Sequence, residues 1–292
     1  LKSYGEQYGI EKAYTDYIEM LETEDLDIVS VCTRPKFHAP LVIESAKRGV
    51  CGILSEKPMA ENLGQAREMV DVSQENNVKL AIDHQLRFNS PYVVAKELIE
   101  NGEIGEIFRV HAVCSGGDLK DNATHTVDLM RYILGDLPVE WVVGQIDRVG
   151  SETQYDLHSE SFGLGYFKFE NNIRGLIESG NDTAPGYHHI FCYGTDGEIE
   201  LAVPGGPAIR MRTKGTSGDW ITPDLPPEIS PVQDMVAAID EDRQHRSSGY
   251  QGLATLELLM AIYQSSRNRQ RVHLPLEEPE SPLTLMIEDG WV

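Results

Sequence analysis

Lys57 stands in the tripeptide Glu56-Lys57-Pro58, just after the apolar run Gly49-Val50-Cys51-Gly52-Ile53-Leu54. A lysine released from the end of a buried parallel strand, with its backbone restricted by the following proline, aims an ammonium into the crevice where such sheets bind ligands. A solvated lysine at a strand end is the plainer reading, and Glu56 is equally a lysine-pairing carboxylate. Further along, Asp121-Asn122-Ala123-Thr124-His125 leads into a helical pattern. If Asp121 and His125 share a helical turn, their i, i+4 spacing puts them on one face, with the aspartate at the end that favours negative charge. An N-cap explains Asp121 without chemistry, and His125 could be a satisfied boundary residue. Taken together, however, a carboxylate that orients an imidazole makes a general base that works near neutral pH.

The elements that must position these groups change character along the chain. Up to about residue 90, short β-branched runs alternate with helical segments, the pattern of βαβ units and a parallel sheet. Strands are expected over residues 27–32, 51–55 and 78–82, with an edge strand near Ala13-Tyr14 and helices over 17–22, 38–48 and 62–77. In such a sheet the ligand lies beyond the strands' carboxyl ends, so the loops 33–38, 55–58 and 83–88 matter most. After a helix that runs from Pro91 to Glu100, longer strands joined by turns predict a mainly antiparallel open sheet: 107–114, 140–149, 161–170, 173–179, 189–193 and 198–203. Asn171-Asn172 and Thr195-Asp196-Gly197 are expected turns, because these residues tolerate positive φ. Helices over 231–241 and 252–264 close the chain. The expected organisation is a dinucleotide-type α/β domain over 1–90 and an α+β domain over 91–292.

Composition narrows the function classes. Among 292 residues, 47 Asp and Glu against 25 Lys and Arg give a net charge of -22, which repels phosphate backbones and anionic lipid and argues against nucleic-acid and membrane partners. Cys32, Cys51, Cys114 and Cys192 are widely spaced in apolar, strand-like runs, which fits reduced core thiols, a cytoplasmic location and no metal site.

Four segments resemble one family. They are Thr33-x-Pro35-x-x-His38-Ala39, Glu56-Lys57-Pro58 after a parallel strand, His84-Gln85-x-Arg87-Phe88-Asn89, and Asp121-x-x-x-His125-x-x-Asp128. Their order looks like that of the glucose-fructose oxidoreductase, inositol dehydrogenase and rhizopine catabolism family, and the likeness continues through Tyr193-Gly194-Thr195-Asp196-Gly197 to Val272-His273-Leu274-Pro275-Leu276. The resemblance implies an enzyme that uses NAD or NADP to transfer hydride to or from a sugar, polyol or related hydroxy compound. It further implies that Lys57 hydrogen-bonds the reacting hydroxyl near the nicotinamide, that His125 moves the hydroxyl proton, and that Asp121 holds the imidazole and substrate in place. Thr33, Pro35, His38 and Glu56 would line the nicotinamide and its ribose, while Gln85 and Arg87 would edge the substrate pocket. A cis Lys57-Pro58 bond is often found in such enzymes.

Three departures stand out. The family's G-x-G-x-x-G phosphate loop is absent, and Leu1 opens in what reads as the second half of a helix, so a first βαβ unit of about 30 residues is expected upstream and this chain alone is expected to bind the nucleotide poorly. Arg34 replaces a small residue or proline and could pair with Glu56. Ala123 stands where glycine is common. A glycosidase of the same fold with a transient NAD cycle, or a non-catalytic subunit, remain alternatives to the dehydrogenase. An uncovered apolar face on the open sheet would favour homo-oligomerisation.

Overall fold

The computed structural model describes residues 2–149, 153–181, 183 and 185–292. The helices α1 (Lys2–Tyr8) and α2 (Tyr17–Thr23) lead into β1 (Ile28–Val31). The segment around Ala13-Tyr14 forms no strand; Lys12 and Tyr14 instead engage Glu24, just beyond α2. Next come α3 (His38–Ala46), β2 (Gly52–Ser55), α4 (Leu63–Glu75), capped by the Asn62 side chain, and β3 (Lys79–Ile82). The three strands pair in parallel in the order β1-β2-β3, with Ile53 facing Val29 on one side and Leu80 on the other.

Beyond α5 (Ser90–Glu100) the chain forms β4 (Ile107–Ser115), α6 (Ala123–Ile133), β5 (Val139–Asp147), the small hairpin β6 (Thr153–Gln154) and β7 (Leu157–His158), then β8 (Phe162–Phe169), β9 (Arg174–Gly180), β10 (His189–Gly194), β11 (Gly197–Leu201) and β12 (Ile209–Thr213). It closes with α7 (Pro231–Asp240), α8 (Gly249–Asn268), β13 (Val272–His273) and α9 (Pro282–Glu288). The large sheet has eight strands in the order β12-β11-β10-β4-β9-β8-β5-β13, antiparallel except for the parallel pair β4 and β9. The turn at Asn171 and Asn172 carries the expected positive φ at both residues.

Alternation sets the sheet's two faces. On β8, Gly163, Gly165, Phe167 and Phe169 point inward and are buried, while Phe162, Leu164, Tyr166 and Lys168 point away. The inward side packs on α6 and α8, where Gly144 and Gly165 let Ile262 of α8 approach the strands so closely that a Cβ at either position would meet it at 2.6 or 2.5 Å. The main core of buried side chains runs from Leu21 to Met286. Although α7 follows the large sheet in sequence, it packs on the small one, burying Met235 against Leu54 and Ala81. The expected boundary at residue 90 is therefore crossed by packing from the late helices.

Candidate active site

The polypeptide leaves β2 at Ser55 with Glu56 N donating to Val31 O at 2.9 Å, and the Lys57-Pro58 bond is cis, as the resemblance implied. His38 opens α3 and is fully buried; its Nδ1 lies 2.9 Å from Pro58 O and its Nε2 3.0 Å from Thr33 O. Both partners can only accept, and a neutral ring donates to one of them at a time. His38 thus braces the 33–38 loop against the lysine turn from beneath, while Thr33 is exposed and Pro35 buried in the short turn Pro35–Phe37. Glu56 turns back on its own loop, its Oε2 accepting from Lys57 N at 3.2 Å.

Lys57 Nζ reaches across to Asp121, donating to Oδ1 at 2.7 Å and to the backbone oxygen at 2.9 Å. The pair is mostly buried, with 19% and 12% of the two side chains exposed, which fixes the ammonium without removing it from solvent. Asp121 is not the N-cap of α6. It sits in the preceding turn, where its amide donates to Asp118 Oδ1 at 2.6 Å, and Asn122 holds the N-cap position. Among the described residues no hydrogen bond joins Asp121 to His125, so the imidazole is oriented by other means.

Those means are two further imidazoles. The His125 ring meets His84 edge-on at 5.6 Å and His188 edge-on at 5.8 Å. His84 Nε2 contacts Thr124 Oγ1 at 3.0 Å, and His188 Nδ1 contacts Thr126 Oγ1 at 2.7 Å, so α6 anchors both neighbours from residues flanking His125. Burial, reinforced by His84, Lys57 and His188, holds His125 well below the usual histidine range; burial brings His84 and His188 down to about 4. His84 Nδ1 lies 3.4 Å from Asp128 Oδ1, but it forms no hydrogen bond there and the ring is neutral at pH 7, so the contact is not an ion pair. His125 Nδ1 is buried without a hydrogen-bond partner, which leaves Nε2 as the nitrogen able to serve the pocket. His188 has φ +57 and comes from the loop before β10; its role was missed in the sequence, where only its place beside His189 ahead of a strand marks it.

Arg87 corrects an expectation. Its guanidinium is fully buried and all five donors are used: two reach Asp128 at 2.7 Å each, two reach Asp136 at 2.8 and 2.9 Å, and one reaches Arg246 O at 3.2 Å. It holds the turn Gln85–Phe88 to α6 and has nothing left for a substrate. Gln85 is exposed on that turn. Arg34 does not pair with Glu56 but with Asp156 of the β6–β7 turn at 2.7 Å, joined by Lys36 at 3.2 Å. Cys32 and Cys51 are exposed rather than core residues; Cys114 and Cys192 are buried.

Beside Asp121 lies a polar cavity of about 330 Å³, lined by Asp118, Asn122, Glu160 and Ser161 among others. Glu160 is buried, accepts from Leu119 N at 2.6 Å and from Tyr263 Oη at 2.7 Å, and is raised to about 7 by burial and by Asp118. At the end of β3, burial and the nearby Glu56 raise Asp83 to about 6, and its buried Oδ1 has no donor.

A fixed ammonium at the carboxyl edge of a parallel sheet, a neutral imidazole and a polar cavity beside Asp121 can be matched to known proteins. Residues 1–84 match the GFO_IDH_MocA model, described as an oxidoreductase family with an NAD-binding Rossmann fold, and residues 96–274 match the C-terminal alpha/beta domain of the same family. The chain belongs to the GFO/IDH/MocA oxidoreductase family. Relatives within it include D-apiose dehydrogenase of Rhizobium rhizogenes, 26% identical over 94% of this chain and 87% of that protein, and inositol 2-dehydrogenase of Rhizobium meliloti, 25% identical over 91% and 86%. Aldose-aldose oxidoreductase of Caulobacter crescentus, solved with glycerol, shares the fold at a TM-score of 0.82 and 22% identity over 94% of this chain and 88% of that one. As a GFO/IDH/MocA member the chain is an NAD(P)-dependent oxidoreductase of the sugar dehydrogenase type. The site fits the nicotinamide end of such a cofactor. Asp83 Oδ1 is a buried acceptor awaiting a donor, and the ribose hydroxyls and carboxamide of a nicotinamide nucleotide are donors.

Proposed function

We propose that this chain oxidises or reduces a secondary hydroxyl of a neutral sugar or polyol, with Lys57 and His125 acting on the reacting oxygen. The observation that carries the reading is the Lys57 ammonium, held at 2.7 Å by Asp121 at the edge of the polar cavity and electrostatically coupled to His125. A carbinol carbon gives up hydride only as its hydroxyl proton leaves, so a proton acceptor and a cation must meet at one oxygen. Lys57 donates to that oxygen and stabilises negative charge as it develops. His125, kept uncharged by burial, takes the proton at Nε2. Asp121 positions the ammonium and is a positioning group for Lys57 rather than for the imidazole, a revision of the role the resemblance implied. The bound nicotinamide supplies the hydride chemistry; Thr33, Pro35, Glu56 and Lys57 would hold its ring and ribose, with His38 bracing their loop and Asp83 offering an acceptor. Gln85, exposed beside His84, is retained as an outer substrate contact.

The test is turnover of a polyol panel followed by NADH or NADPH formation. His125→Ala is expected to lower kcat by a factor on the order of 10² or more with nucleotide affinity largely kept, and Lys57→Met to lower kcat/KM at least as much. Near-normal turnover in His125→Ala would remove the proton-transfer role.

A further inference from the structure

A second cavity, of about 500 Å³, opens where the two sheets' outlying elements meet: the start of α4, the turn before α6, the β6–β7 hairpin and α9. Its walls include Glu61, Asn62, Lys120, His158, Ser281 and Glu288. No catalytic role reaches this cavity, yet a deeply buried ammonium lies on its wall. Lys120 is 4% exposed and its ammonium has no hydrogen bond or ion pair among the described residues. Holding a lysine this deep without a protein partner costs several kcal/mol, so Lys120 marks a site for something that bonds its ammonium.

The wall chemistry selects the class. Glu61, Glu280 and Glu288 outnumber the single ammonium, Asp156 is already matched by Arg34 and Lys36, and an anion would face net repulsion. A bare metal ion would meet Lys120, and among the described residues no group of three or more His, Cys, Asp and Glu is arranged to hold one. A neutral polyol suits this wall: its hydroxyls accept from Lys120, exchange with Asn62 and Thr284, and donate to the carboxylates, while Leu157 and Leu285 cover a carbon face. We propose that this cavity is a second binding site, separate from the catalytic one, for a neutral polyhydroxylated ligand about one sugar ring in size. Lys120 is the natural link between the two sites, because the carboxylates that act on it most are Asp118 and Glu160 on the first cavity and Glu61 on the second.

The experiment titrates the full chain, without nucleotide, with methyl β-D-glucopyranoside while following ¹³C-labelled imidazole signals. His158 reports this cavity and His125 the catalytic one. Saturable movement of the His158 signal is expected. In Thr284→Trp, which fills the cavity from α9, and in Lys120→Met, which removes the ammonium, the His158 midpoint should rise at least about tenfold, with the His125 response kept in Thr284→Trp. Absence of a saturable His158 shift in the parent chain, or a midpoint unchanged in both variants with folded far-UV spectra, overturns the site. Saturation by inorganic phosphate or Mg²⁺ in place of the glycoside overturns the ligand class. Loss of the catalytic assignment would show in turnover of the Lys57 and His125 variants and leaves this measurement untouched.

Discussion

His125 is edged by two other imidazoles, and burial keeps all three uncharged at neutral pH. An imidazole in this state is ready to accept a proton without first losing one, at the cost of weak basicity; in the proposed mechanism the Lys57 ammonium would offset that weakness by lowering the hydroxyl's own hold on its proton. Imidazole NMR titration should therefore find His84 and His188 neutral down to pH 5, with midpoints about 4; a midpoint near 6.5 for both would contradict the packing argument. The same shifts act on stability. On acidification the unfolded chain binds protons at these histidines first, from about 6.5, so their contribution is complete above that pH and is lost as pH falls towards about 4, on the order of 3 kcal/mol for each ring. Glu160, raised to about 7, acts in the opposite direction, since its folded form takes up a proton before its unfolded form does. The clean measurement is a difference: the slope of unfolding free energy against pH between 6.5 and 4 should be shallower in His188→Asn than in the parent by up to one proton. At the ammonium, Asp121→Asn keeps the shape but removes the carboxylate charge that holds Lys57, and kcat/KM for polyol oxidation should fall about 10- to 100-fold with the melting temperature little changed.

Helix α6 carries the site because it is fixed from both ends. All eleven of its residues are buried, His125 lies in its first turn, and the Arg87 clasp pins Asp128 on the following turn. That clasp takes Arg87 out of substrate recognition and makes it a stability residue. Arg87→Met would strand Asp128, which the guanidinium holds down to about 2, and should cost about 3–5 kcal/mol in denaturant unfolding while KM for the polyol stays within about twofold. A raised KM with unchanged stability would return Arg87 to the pocket's edge. The sequence showed the elements far better than their partners. Period and turn residues located the three parallel strands, α4 and most of the open sheet, because those signals are local. Strand β12 was missed behind Pro204-Gly205-Gly206-Pro207, and α9 was missed just beyond the acidic, proline-bearing stretch Glu277-Glu278-Pro279-Glu280. The four motif segments located Lys57, Asp121 and His125, but nothing local distinguishes an arginine that will be enclosed by two aspartates from one that will face a substrate. Nor does anything local place His188 beside His125, since 63 positions separate them and only the parallel pairing of β4 with β9 and the adjacent β10 closes that distance.

On the molecular scale the large sheet has a covered face and an open one, and the open one is apolar in a continuous row. Val143, Tyr166, Leu176, His111 and Phe191 lie side by side across β5, β8, β9, β4 and β10 in register, flanked by Trp141, Leu164 and Tyr193. A row of this kind across five strands is larger than the isolated apolar residues common on monomers, and pairing two such faces would supply an interface of standard size, about 800 Å² on each side. The net charge of -22 opposes any such pairing, because two copies repel across the Debye length. The open face eases this locally, because its charges are largely matched: Lys168 pairs with Glu140, Arg210 with Glu200 and Arg212 with Glu198. Association through the sheet should therefore strengthen as salt is raised from about 0.02 to 0.3 M, where long-range repulsion is screened while apolar burial is not. Light scattering on Tyr166→Asp, which puts a carboxylate in the centre of the row, should give the monomer mass of 32.6 kDa at protein concentrations where the parent chain is larger. A variant that associates as the parent does would place the interface elsewhere, and a parent that stays monomeric at 0.3 M salt would leave the apolar row without a partner copy.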